Sequence, residues 1–527
     1  MTAVVPAPAG ARAAGTVLLG SFGRMLRLEI KRSAMVWMLP LLAALFVFDP
    51  YRTATGYPPV WTIHTSVVLN KLLPDFIIFT SGFSAWAGSR EGRRHAGDLL
   101  GTTARPAWMR HIAALCGAVF WALGGFLVAV VVLYVRTASV ATWGGPPLWP
   151  VAVGTVAMIT VCAVGYTAGA LFPGRFTAPI VAVGITVLDL YGFRRAVAEQ
   201  NYGFWQAAAS NGTQLLSPTR DVPAPDAGVF YHVAPDISIV QVMFMGGLTL
   251  AALGVLGLSP RTGGVGFRGV LDFASGAGPR VRTVATAVLV AGVAAAVTAV
   301  ALTETAKPAI SGWDIPALHS AASDRPVPYT PDCSGGTGRG ISACVHPAFG
   351  GYLADVSGAL APVLREVRGL PGAPVRATQI PGNTLPSSVL YGNGSGVITG
   401  SPSVYEFTLN NTVGLAGTVP GQFQQLRQDL LQRLVSGPPS GDGAVSGSGA
   451  GADTQQAVVI ALLAAVGSRP ASQQGPASPQ GSASPQQETI NAAAKRFERL
   501  SASARHAWLA SNLPALRAGR VTLAQLP

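Results

Sequence analysis

IAALCGAVFWALGGFLVAVVVLYV, residues Ile112–Val135, decides the fold. It carries no charged side chain. As a helix rising 1.5 Å per residue it is long enough to cross the roughly 30 Å hydrocarbon core of a bilayer. Working outward, the same kind of run recurs at Ala34–Phe48, Leu69–Gly88, Leu148–Phe172, Phe176–Tyr191, Ile237–Leu258 and Val284–Thr303. Polar breaks separate them, so the expectation is seven transmembrane helices. Pro40 is expected to kink the first, and Trp37 to anchor it at the interface. Beyond Glu304 no segment reaches the 18 or so apolar residues a spanning helix needs.

Composition agrees. Hydrophobic residues make up 49% and charged residues 11% of the 527, against about 25% charged in a soluble domain. Mean hydropathy is +0.41. The net charge of +13 would suit a nucleic-acid partner, but there is no dense Lys/Arg run, and no nucleic acid is expected.

The basic residues have a better explanation in loop asymmetry. With the N-terminus in the cytoplasm, fifteen of them lie inside: Arg12, Arg24, Arg27, Lys31, Arg32, Arg90, Arg93, Arg94, Arg105, Arg110, Arg175, Arg261, Arg268, Arg280 and Arg282. The outside loops hold six: Arg52, Lys71, Arg136, Arg194, Arg195 and Arg220. The positive-inside rule favours this orientation. Seven spans then place 304–527 outside the cytoplasm. The N-terminal tail, 1–33, shows no cleavable signal peptide, so the first span is expected to be an uncleaved anchor in the plasma membrane. The basic amphipathic segment Phe22–Arg32 is expected to lie along the cytoplasmic interface, with Phe22, Met25, Leu26 and Ile30 toward lipid.

Three features carry further information. They are the interface helix, the first inside loop with Arg90, Glu91, Arg93 and Arg94 followed by GDLLGTTARP (Gly97–Pro106), and the long segment Gly192–Asp236 before the sixth span. Together, over roughly Ser21–Leu258, they resemble the permease subunits of type-2 ATP-binding cassette exporters. That resemblance implies that the loop after the second span is a coupling helix seated on an ATPase subunit, with Arg90, Glu91, Arg93, Arg94, Asp98, Leu99 and Leu100 as its contact residues. The family core ends after six spans, whereas here a seventh carries an added domain. The chain has no GxxxxGK[ST] phosphate loop, and none of its lysines follows a glycine, so it is not expected to be an enzyme. ATP and Mg would belong to the partner ATPase, and a second permease, identical or related, would complete the assembly. The transported substrate is not legible.

Within the spans, Asp75 and Asp189 are ionisable residues that could form an intramembrane polar site, although both fall within a turn or two of an interface, where a structural role suffices. Cys116 and Cys162 read as packing residues.

The segment 304–527 is expected to form an α+β domain. Cys333 and Cys344 flank a glycine-rich stretch and are expected to form a disulfide in an oxidising compartment. A metal site is not expected, since only His346 is near and no second ligand pair follows. Helices are expected over Tyr352–Val367, Gly421–Leu434 and Thr454–Val466, with two more in Glu488–Pro527. Short strands are expected at Val389–Tyr391, Gly396–Ile398 and Val404–Leu409. The Gly/Ser/Pro/Gln-rich stretches 436–452 and 468–487 read as mobile linkers. CVHPAF (Cys344–Phe349) and GLPGAP (Gly369–Pro374) resemble outside domains attached to actinobacterial permeases. No HExxH helix or GxSxG elbow appears, so an outside hydrolase is disfavoured. A second class of function stays open: a membrane-anchored sensor or binding protein whose working part is the C-terminal domain.

Overall fold

A computed structural model describes residues 22–56, 58–93, 107–201, 215, 227–232, 234–258, 279–309, 312–320, 325–334, 342–380, 396–397, 404–409, 419–436, 450–468 and 484–527. It is a mostly helical membrane-type bundle with a small mixed sheet in its C-terminal part.

The bundle is built from α1 (Phe22–Gly56), α2 (Trp61–Val67), α3 (Leu73–Gly88), the short α4 (Arg90–Arg93), α5 (Ala107–Ala138), α6 (Trp149–Leu171), α7 (Thr177–Asn201), α8 (Ala227–Phe230), α9 (Asp236–Leu258) and α10 (Pro279–Thr303). Among the described residues, five stretches are long and apolar enough to cross a membrane: Phe22–Gly56, Trp108–Ala138, Trp149–Leu171, Asp236–Leu258 and Val281–Thr303. The Leu69–Gly88 and Phe176–Tyr191 segments are helical but do not join that set; the apolar part of α7 is the shorter Thr177–Leu190. Side chains such as Val128 on α5 (65% exposed) and Val297 on α10 (62%) face outward. So much exposed aliphatic surface is unfavourable in water and suits lipid.

Local sequence explains where α1 breaks. Ser33 is extended (φ −63°, ψ 129°), and its hydroxyl accepts from the Met35 N–H. The amphipathic segment therefore ends there and a spanning segment begins. Pro40 lies in the first turn of the α-helical segment Leu39–Phe46, where the chain passes from the 3-10 turn Ala34–Met38 into α-helix. A further irregularity is a π turn, Val47–Tyr51, containing Pro50, which removes a backbone donor inside the helix. A second π turn, Val68–Leu72, joins α2 to α3.

Small residues let the helices approach and fix their directions. A Cβ on Gly165 of α6 would meet the Ser81 carbonyl of α3 at 2.6 Å, and one on Gly169 would strike that of Ala85. The order is the same on both helices, so α3 and α6 run parallel. On α9, Gly247 faces Gly292, Gly254 faces Leu289 and Gly257 faces Ala285, so α9 and α10 form an antiparallel hairpin. Thr160 of α6 bonds to the Met245 carbonyl and Thr249 hydroxyl of α9 (both 2.9 Å), and Thr167 to the Ala252 carbonyl (3.3 Å). Hydroxyls satisfied by a neighbouring helix in this way are the usual polar glue of membrane bundles.

The C-terminal part begins with a hairpin, β1 (Lys307–Ala309) and β2 (Gly312–Asp314). A five-stranded sheet follows, in the order β3 (Asp332–Cys333), β4 (Ser342–Val345), β5 (Arg376–Gln379), β7 (Val404–Phe407), β6 (Gly396–Val397). The inner pairs β4–β5 and β5–β7 are parallel; the outer pairs are antiparallel. Helices α11 (Leu353–Glu366), α12 (Val419–Ser436), α13 (Ala450–Ala465), α14 (Pro485–Glu498) and α15 (Ala502–Arg517) share one apolar core with the sheet, including Val345, Leu360, Phe407, Leu430, Leu462, Phe497 and Leu513.

The disulfide Cys333–Cys344 joins directly opposed residues of β3 and β4. The linker readings need trimming: α13 starts at Ala450, inside 436–452, and α14 starts at Pro485, inside 468–487, capped by the Ser484 hydroxyl. Pro485 reads as linker punctuation but suits a helix's first position, and Gly451 lets α13 approach Gly519, whose carbonyl a Cβ there would meet at 2.5 Å. Residues 437–449 and 469–483 and the strand expected at Val389–Tyr391 lie outside the described residues.

The domain sits on one end of the bundle. Val60 at the start of α2, Ile63 of α2, and Val229 and Phe230 of α8 belong to its core. Val327 N–H donates to the Phe230 carbonyl at 2.7 Å, and Thr142 Oγ1 donates to the Pro347 carbonyl at 3.2 Å.

Candidate functional site at the arginine-rich end

The opposite end of the bundle gathers the charges of the first loop. α3 ends at Gly88, which packs on the Tyr166 carbonyl too closely for a side chain. Ser89 caps that turn, and Arg90–Arg93 continues as the single-turn α4. Arg90 points back to the amphipathic segment of α1. Its Nη1 donates to Glu29 Oε2 at 3.2 Å and its Nη2 to Glu29 Oε1 at 2.8 Å. This bidentate fork raises the Arg90 pKa, the hydrogen bonds outweighing burial. Glu91 turns the other way and pairs with Arg110 at the start of α5 (3.5 Å). Arg93 lies over the Trp86 ring, its guanidinium carbon 3.3 Å from the centroid, and donates to the Trp86 carbonyl at 2.9 Å. A guanidinium this close over a tryptophan face is attracted by the ring's quadrupole. His111 of α5 hydrogen-bonds the hydroxyl of Tyr166 on α6 at 3.2 Å.

One short helical turn is thus tied to three neighbours: α1 through Arg90, α5 through Glu91 and α3 through Arg93. Arg94, Asp98, Leu99 and Leu100 lie outside the described residues. The amphipathic segment lies against α5 at its end: the Ile30 carbonyl accepts from Trp121 Nε1 at 2.7 Å, and the Glu29–Ile30 backbone packs on Gly117. Glu29, Arg110 and His111 completed this cluster unseen by sequence reasoning. A lone Glu in a basic amphipathic stretch was a usable signal, because it needs a cation when half-buried.

The remaining site residues are spread out. Asp75 lies on the first turn of α3, near the Asp49–Lys71 ion pair (3.5 Å) at the domain end. Asp189 is half-buried near the end of the apolar part of α7. Cys162 is buried, and its carbonyl accepts from Ser84 Oγ at 2.6 Å; Cys116 is exposed. Between α1 and α5 runs an apolar groove of about 400 Å³ lined by residues including Leu42, Phe46, Phe76, Trp121 and Gly125. A further group, Asp236, Asp314 and His319, went unnoticed in the sequence.

Comparison with protein-family models, with curated proteins and with solved structures finds no match to this chain.

Proposed function

We propose that this chain is the transmembrane permease subunit of an ATP-binding cassette exporter, driven by an ATPase subunit supplied in trans that carries the ATP and Mg. A second permease, identical or related, completes the assembly in the plasma membrane of an actinobacterium-like cell. The observation that carries the reading is the anchoring of Arg90–Arg93. A push on this loop would be felt directly by α1 through Glu29–Arg90 and by α5 through Glu91–Arg110, which is what coupling to a nucleotide-driven partner requires.

Seven spans, with an N-terminus inside and residues 304–527 outside, accompany this reading. In support, α3 and α7 pack alongside the apolar α6, and α3 runs parallel to α6 and α9 antiparallel to α10, relations that an alternating weave requires. The arginine-rich end faces the cytoplasm by the positive-inside rule. The groove between α1 and α5 suits an apolar substrate, an acyl chain or the second permease.

The test is affinity purification of the tagged full chain from its native membrane, with and without replacement of 91–100 by a Gly/Ser linker. An ATPase should co-purify with the intact protein and be lost from the replacement. Recovery of the folded chain with no ATPase, alongside ligand binding by the C-terminal domain, would move the assignment to a membrane-anchored sensor.

A further inference from the structure

Asp236, Asp314 and His319 come from three separate places. Asp236 opens α9, Asp314 ends β2, and His319 follows the turn after β2. Their ligand atoms all lie within 4.8 Å of one another. His319 Nδ1 is 3.4 Å from Asp236 Oδ2 and 3.4 Å from Asp314 Oδ1. Both separations exceed the usual 2.7–3.2 Å of an N–H···O bond, and one ring hydrogen cannot serve two carboxylates well. They match what a shared ion would give: ligands about 2.0–2.2 Å from one cation lie about 3.0–3.6 Å apart in tetrahedral or octahedral arrangement.

Electrostatics points the same way. Asp236 is 1% and Asp314 8% exposed, and two buried carboxylates facing one another need opposite charge close by. A protonated imidazole would neutralise one of the two charges; a dication beside a neutral imidazole neutralises both. The Ile315 N–H donates to Asp236 Oδ2 at 2.8 Å. That oriented carboxylate is the kind of outer support that metal ligands carry.

We propose that Asp236, Asp314 and His319 bind one divalent first-row cation, of the zinc or manganese kind, which fastens the β1–β2 hairpin of the C-terminal domain to the head of α9. One imidazole nitrogen with two carboxylate oxygens is a donor set both ions accept, and three protein ligands leave room for water or a fourth group. The hairpin follows α10 directly, so the ion would lock the domain's first element to the α9–α10 pair. This stands independently of the transport assignment.

The test uses the full chain in detergent, stripped with chelator, desalted and titrated with Zn²⁺ or Mn²⁺. We expect about one equivalent bound per chain and a thermal midpoint that rises with metal and falls with chelator. His319→Ala and Asp314→Asn should each weaken binding at least about tenfold, and the midpoint of each should no longer respond to chelator. Asp236→Ala is less diagnostic, since it also strips the Ile315 N–H of its acceptor. Equal metal content in wild type and variants, or none in either, would overturn the proposal. So would a metal-insensitive midpoint that falls as pH rises through the imidazole range, which would mark an imidazolium bridge instead.

Discussion

The carboxylate of Glu29 and the guanidinium of Arg90 meet edge to edge, with both oxygens and both terminal nitrogens engaged at 2.8 and 3.2 Å. This pair fastens the amphipathic start of α1 to the turn after α3. Arg90 is 38% and Glu29 23% exposed, so solvent screens it and its coupling energy should be about 1 kcal/mol, the upper end for accessible pairs. Glu29→Gln and Arg90→Gln should each lower the thermal midpoint in detergent, and the double variant should lose less than the sum. Strict additivity would show that the fork contributes nothing.

Adjacent glycines on α9 should behave oppositely. A Cβ on Gly247 would meet the Gly292 carbonyl at 2.7 Å and Ala296 N at 2.8 Å, whereas one on Gly246 meets nothing within 4 Å. Gly247→Leu should therefore push α9 from α10 and cost about 1–3 kcal/mol or more, as overpacking does. Gly246→Leu should leave size-exclusion profile and melting unchanged. Similar losses from the two variants would mean that α9 and α10 do not pack through this face.

These contrasts mark what the sequence could reveal. The helical character of Ile112–Val135 was legible because periodicity and charge are local, and the amphipathic run giving α11 was legible for the same reason: Val356, Leu360, Val363 and Leu364 recur at helical spacing and are buried. The two helices expected in Glu488–Pro527 are present as α14 and α15, with Phe497, Leu509, Leu513 and Leu516 buried and Leu500 and Trp508 partly so. Partnerships across long separations were not. Glu29 meets Arg90 from 61 residues away, and Asp236 reaches Ile315 across 79; no local pattern encodes either. Gly165 and Gly169 looked like ordinary span residues, because a glycine's close approach depends on the neighbour and not on the helix that carries it.

The pairing of Cys333 with Cys344 was legible from composition, but its setting was not. The two are cross-strand neighbours with Cα atoms 4.1 Å apart, on the outer pair of the sheet, and Arg376 Nη2 lies 3.2 Å from Cys344 Sγ. Closing a loop of 11 residues' separation should stabilise the domain by about 3 kcal/mol in the chain-entropy model. Reduction, or Cys333→Ala with Cys344→Ala, should lower the domain's midpoint while leaving the bundle's transition in place. Maleimide should label these two residues only after reduction. Labelling of both without reductant would show free thiols.

His346 makes the stability of the domain depend on pH. Its ring is boxed by Tyr329, Trp143 and Phe230, with centroids 4.2, 4.9 and 4.9 Å away, and Nδ1 accepts from the Ala348 N–H at 3.1 Å. Trp143 follows α5 and Phe230 belongs to α8, so the imidazole keys the domain onto the bundle. Burial pushes its pKa down to about 4, against about 6.5 for a free imidazole. The folded state thus prefers the neutral ring. Its contribution is complete above about pH 6.5, declines as the unfolded chain takes up a proton that the folded one refuses, and is gone once pH has fallen through about 4. Protonating Nδ1 would also remove the acceptor for Ala348. Melting curves between pH 7.5 and 4.5 should show a falling midpoint for the wild type. His346→Phe, which keeps a ring in the box but cannot titrate, should start lower and lose less over the same interval. Parallel slopes for the two proteins would assign the acid sensitivity to other groups.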